Sequence, residues 1–228
     1  MQPLKLSFCL IICCTFFSCR QTGKKIVPPV TAAPAAANTD IERPSQPYIS
    51  YSDSITAVVK KLKDQKNISA INKLVYHTIS VDMPLYWHGT KWDFNGTTRT
   101  PGDSTIACGY FITTILQDIG LKINRSWLAQ QPSSVLIKAT CNKIERFAEF
   151  SDLEKYMDNT PPHSILIIGL DFHTGFIIKD NSNTYFFHSN YIDRAGVTKE
   201  LIAVSRALKA SKSFMIGNLA ANESYLMR

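Results

Sequence analysis

Beyond residue 19 the chain carries only two cysteines, Cys108 and Cys141. They share no metal-ligand spacing with each other or with a pair of histidines, which excludes a zinc ribbon and a disulfide-framed miniprotein. No two histidines stand four apart on a helical pattern, so a metal site built from His163, Asp171 and His173 has little behind it. No cofactor is implied. Charge is also sparse: 19% of the 228 residues are charged against 45% hydrophobic, too apolar a balance for a disordered chain. No internal repeat is visible. The longest apolar run, at the N-terminus, is too short to serve comfortably as a mature membrane span.

That run is informative in another way. Residues 1–18 read as an export signal, with Lys5 as the positive start and residues 6–17 almost continuously apolar. The segment ends in Phe16-Phe17-Ser18-Cys19, which resembles the lipobox of bacterial lipoproteins, with Phe16 where an aliphatic residue is usual. The resemblance implies lipidation at Cys19 and a protein exported to the bacterial cell envelope and held to a membrane by a lipid anchor. Residues 19–47 then read as a tether: five of the 11 prolines fall there beside an alanine-rich run, with no apolar period. The folded domain is expected over residues 48–228. Removing the signal takes away only Lys5 from a formal net charge of +7, and the remaining basic excess suits an anionic wall or membrane surface. Export argues against a nucleic-acid partner.

From residue 50 onward the pattern is that of a packed domain. Ile55, Val58, Val59 and Leu62 recur at helical spacing, and Ile68, Ile71, Leu74 and Val75 predict a second helix. Residues 82–104, broken by Pro84, Gly89, Gly96, Pro101 and Gly102, predict a long ordered loop. A helix follows, with cap candidates Asp103, Ser104 and Thr105, core-facing Phe111, Ile115 and Ile119, and an end at Gly120. Ser151-Asp152-Leu153-Glu154 has the form of a capping box. Residues 164–170 predict a buried strand, and 173–179 and 185–190 a hairpin around the polar turn 180–183. Residues 200–208 read as a helix and 214–219 as a last strand. Helices first and hairpin-linked strands later predict an α+β fold with a mainly antiparallel sheet.

Cys108 falls in the first turn of the predicted helix, where free N–H groups and the helix dipole favour an anion and are expected to lower the thiol's pKa. Cys141 has no such setting and reads as a buried structural cysteine. An even turn at 180–183 would pair Lys179 with Thr184. Gly175 would then oppose His188 and His173 would oppose Asn190, all on one sheet face. The two histidines become diagonal neighbours, and Gly175 leaves room for a ring. A thiol at a helix start, a histidine base and a polar residue on that base's second nitrogen are what a cysteine hydrolase requires.

Ile106-Ala107-Cys108-Gly109-Tyr110-Phe111, then His173-Thr174-Gly175-Phe176-Ile177-Ile178, then Phe187-His188 resemble the NlpC-type cell-wall peptidases. So does the glycine-flanked aromatic loop of residues 89–96. The resemblance spans residues 86–190. It implies a papain-like fold in which the nucleophile helix packs on the sheet, and an enzyme that cuts amide bonds in peptidoglycan stem peptides. By that resemblance Cys108 is the nucleophile, His173 the base and then acid, and His188 the orienting residue with Asn190 in reserve. Trp87, Trp92 and Tyr110 are the expected substrate-binding residues. The sequence departs from the pattern in three places. Ala107 and Gly109 flank the cysteine where many members have Asp and Ser, Trp92 replaces a tyrosine, and residues 122–162 are a long insertion. The same chemistry on a lipid or protein amide is one alternative. A non-catalytic wall-binding module, stacking its ligand on Trp87, Trp92 and Tyr110, is the other.

Overall fold

The computed structural model describes residues 44–228. The export signal expected over 1–18 and the lipidation expected at Cys19 lie outside the described residues. So does the tether expected over 19–47, except for 44–47.

The described residues form an α+β fold, and the earlier elements are helical. Helix α1 (Tyr48–Asp64) buries Ile55 and Val59 on one face, as their spacing predicts. Asn67 caps α2 (Ile68–His77) by accepting the Ala70 N–H at 3.1 Å. A π turn over Thr78–Asp82 continues without a break into α3 (Met83–Trp87); Pro84 lies inside that run, and the Ser80 carbonyl four residues before it accepts Lys199 Nζ at 2.8 Å. The segment expected to be all loop therefore begins as helix, and the loop proper runs from 88 to 107. That loop is pinned by a bridge between Thr97 and Ile106. Next come α4 (Cys108–Asp118), α5 (Arg125–Ala129), α6 (Ser133–Thr140), β1 (Asn142–Phe147) and α7 (Phe150–Asp158). The insertion at 122–162 thus supplies three helices and an edge strand.

The expected capping box at Ser151 is not the helix start. Helix α7 begins at Phe150 with Glu149 at the cap position and no side-chain cap bond. The Phe150 ring packs on Phe214 at 6.1 Å, and that packing draws the start back by two residues. Five strands follow in sequence with one helix among them: β2 (Ser164–Gly169), β3 (Thr174–Lys179), β4 (Thr184–Asn190), β5 (Gly196–Leu201), α8 (Arg206–Ala210) and β6 (Phe214–Asn218). A short α9 (Glu223–Leu226) ends the chain. The helix expected over 200–208 is therefore split, since Glu200 belongs to β5 and only the later residues are helical. Ladder bonding to β4 overrides the helical propensity of Lys199-Glu200-Leu201.

The six strands form one antiparallel sheet in the order β1-β6-β2-β3-β4-β5. One face carries Ile165, Ile167, Phe176 and Phe187 against Val59, Ile71, Phe111 and Ile137 of the helices. The other carries Leu166, Ile168, Ile177 and Phe186 against Leu153, Met157 and Leu208. Strand β2 is covered on both faces, which explains its unbroken apolar run. Phe111 meets Phe187 edge-on at 5.0 Å and Phe176 at 6.3 Å, so it seats α4 across β3 and β4. That docking sets the start of α4 beside the start of β3.

Candidate active site

Cys108 is the first residue of α4. Ala107 before it is extended and lends no side-chain cap, so no side chain of its own cap claims the first N–H groups. The helix start is held down tightly. A Cβ on Gly109 would collide with the Ala129 carbonyl oxygen, so the first turn of α4 lies directly on the end of α5. On the other side, Ala107 N–H donates to the Gly96 carbonyl at 2.8 Å and brings the 88–107 loop alongside the cysteine. The Cys108 thiol is half-buried and unbridged.

The expectation of a lowered thiol pKa is corrected here. Burial pushes the Cys108 thiol above its ordinary 9.0, and the backbone N–H groups of Thr174, Gly109 and Cys108 itself offset only part of the rise. Desolvation outweighs the helix start. The other partner shifts the opposite way: burial holds His173 well below its ordinary 6.5, and the neighbouring His188 adds to the effect. At rest the pair is a neutral thiol and a neutral imidazole. Alkylation of Cys108 by iodoacetamide is accordingly expected to climb with pH through and beyond 9. Cys141, at 2% exposure and pushed up to about 12, should stay unlabelled over that range. A labelling rate for Cys108 that levels off below pH 8 would contradict this protonation state.

The hairpin has the predicted register, with Lys179 opposite Thr184 and Phe176 opposite Phe187. A Cβ on Gly175 would come within 2.8 Å of the His188 Cβ and would strike the Phe186 ring, so only glycine leaves the histidines room to meet. They do meet: His173 Nε2 lies 2.7 Å from His188 Nδ1. His188 is fully buried and stacked on Phe186 at 3.9 Å. Its other nitrogen, Nε2, lies 3.2 Å from Glu200 Oε1 on β5. Asn190, the reserve orienting residue, is instead engaged in the next turn, where its Oδ1 accepts the Ile192 N–H at 2.9 Å.

Glu200 sets the protons along this chain. Burial alone would raise its carboxyl, but hydrogen bonds from His188 and Ser205 bring it below its ordinary value, so it is ionised. A carboxylate only accepts, so the proton between them sits on His188 Nε2. Burial keeps His188 neutral against the opposing pull of Glu200. Its Nδ1 is then a bare acceptor, His173 Nε2 must donate to it, and His173 Nδ1 is left with the free lone pair.

Cys108 and His173 line the same cleft, and the Thr174 N–H that faces the thiol belongs to the residue next to His173. Among the described residues no hydrogen bond joins the thiol directly to the imidazole; such contacts are often long in a free enzyme and tighten on substrate. Trp92 and Tyr110 line the cleft, with Tyr110 held by Gln130 at 3.0 Å and by the Arg125 guanidinium over its ring. Trp87 does not. It is 0% exposed, packed against Tyr48 and Phe111, and its expected substrate contact is corrected to a core role. The residues proposed for a metal site do not gather: His163 packs on Tyr76, and Asp171 binds Ser213 and the Lys212 N–H.

Sequence reasoning missed Glu200 and three aromatic residues of the cleft: Phe94, Phe172 and Tyr191. The signal for Glu200 was the β-branched pair Val197-Thr198 after Gly196, which marks a strand and not a helix. Phe172 and Tyr191 each adjoin a predicted strand end, and only the fold brings them together. No family model matches the chain, and no curated protein or solved structure does.

Proposed function

We propose that residues 48–228 form a papain-like, NlpC-type cysteine hydrolase, anchored in the bacterial envelope through Cys19, that cleaves amide bonds in peptidoglycan stem peptides. The observation that carries the reading is the buried chain from Glu200 through His188 to His173, which ends at the cleft containing Cys108. A hydrogen-bonded histidine with a fixed tautomer in the same cleft as a thiol has no evident structural purpose, and burying two histidines against a half-buried carboxylate is costly unless they are used.

The chemistry follows from the protonation states. As Sγ bonds to the substrate carbonyl carbon, the thiol proton passes to His173 Nδ1, and the carbonyl electrons become an oxyanion. In this reading the Cys108 N–H at the start of α4 donates to that oxyanion. Collapse breaks the C–N bond, and the proton on His173 leaves with the amine. Water then attacks the thioester carbon and gives a proton to His173; collapse breaks the C–S bond, His173 returns that proton to the departing sulfur, and the acid released ionises to a carboxylate. Because the resting pair is neutral, proton transfer accompanies attack and does not precede it.

Glu200 acts through His188 and so is a positioning residue. Glu200→Ala is expected to lower kcat about ten- to a hundredfold with little change in KM, the worth of one charge-assisted hydrogen bond. Glu200→Gln, which can still accept from His188, should recover part of the loss. The assay is release of new amino ends from purified peptidoglycan. Equal losses in both variants, or a change confined to KM, would remove the positioning role.

A further inference from the structure

The cleft opens in two directions from Cys108. Toward α6 lies a cavity of about 350 Å³ whose wall includes Gln131, Ser133 and Asp171. Toward the 88–107 loop lies a larger chamber of about 770 Å³, walled by Trp92, Phe94, Tyr110, Phe172 and Tyr191. The two walls differ in kind. Among the described residues, no lysine, arginine, aspartate or glutamate lines the larger chamber. The Arg125 guanidinium sits behind the Tyr110 ring and does not line the chamber; its Nε donates to Thr114 Oγ1 at 2.7 Å and its Nη2 to Thr97 O and Thr98 O at 2.9 Å. The residues flanking the nucleophile, Ala107 and Gly109, also lack charge.

Two of the rings are open to solvent: Phe94 is 79% exposed and Phe172 is 96% exposed. A single exposed aromatic is ordinary, but two on the rim of one cavity beside a nucleophile form a wall that only a ligand would cover. A carboxylate or ammonium buried there would lose its hydration and find no opposite charge on the lining itself, whereas an apolar group would leave water for aromatic surface. We infer that the chamber takes an uncharged apolar group flanking the scissile amide, an alkyl or acyl chain or an apolar side chain. The inference rests on the hydrolase reading and sets its specificity: the bond cut has an apolar neighbour on one side.

The test uses the Cys108→Ala protein, which cannot turn the probe over. It is titrated with two isomeric series, N-alkylacetamides and alkanoyl methylamides, from ethyl to hexyl, followed by the backbone amide shifts of Trp92 and Tyr110. In at least one series affinity should rise about fourfold per methylene. A terminal carboxylate or ammonium should cancel the gain, and Phe94→Ala in the same background should flatten the slope. Chain-length independence in both series would overturn the inference. So would charged chains bound as well as neutral ones, or an N-acetylhexosamine bound more tightly than the hexyl amides. Because binding is read without turnover, a wild-type enzyme that cuts no amide would fell the hydrolase reading separately.

Discussion

The Cys108→Ala protein is expected to lose turnover by about a millionfold, the scale seen when a hydrolase loses its nucleophile, while it remains folded. The two halves of this expectation come from different facts. Among the described residues Cys108 carries the only thiol lining the cleft; Cys141 is buried near Gly217 and is not a lining residue. No second described thiol can therefore take over the covalent step. The cost in stability is small because the Cys108 side chain is half-buried and forms no hydrogen bond to another side chain. Losing one sulfur there should cost about 1 kcal/mol or less, the scale of a single methyl deletion. Cys141→Ala should keep full activity. Unaltered turnover in Cys108→Ala would end the covalent mechanism.

Trp87→Ala is expected to act on the other quantity, with a loss of about 3–5 kcal/mol in unfolding free energy and no specific effect on KM. Trp87 closes α3 and is wedged between Tyr48 of α1, at 5.4 Å, and Phe111 of α4, at 5.8 Å. Truncation would open a cavity under α4, too large to be closed by local shifts, and the surrounding rings would lose their contacts. Denaturant unfolding measures the effect. A loss below about 1 kcal/mol, joined to a large rise in KM, would return Trp87 to the substrate-binding role expected of it from sequence.

The contact between His173 and His188 was legible because it depends on parity alone. The polar turn at 180–183 is even, both strands alternate, and Gly175 leaves the gap, so one register satisfies all three. The period of α1 and the apolar run of β2 were legible for similar local reasons. Trp87 and Trp92 could not be told apart, since an aromatic next to a loop is equally suited to core or cleft until the neighbouring helices are placed. Glu200 was hidden because Lys-Glu-Leu has helical propensity, and its strand identity comes from pairing with β4. The thiol's shift was misjudged for a physical reason. The helix start is visible in sequence, but burial by α5, the 88–107 loop and β3 is a property of the assembled fold.

The most direct test is to digest purified peptidoglycan with the wild-type protein and identify the soluble fragments by mass spectrometry. The account predicts stem-peptide fragments with a new free amine on one product and a new free carboxylate on the other, each pair differing from the parent by one water. Intact peptidoglycan, or fragments whose new ends lie in the sugar chains with every peptide amide uncut, would contradict it.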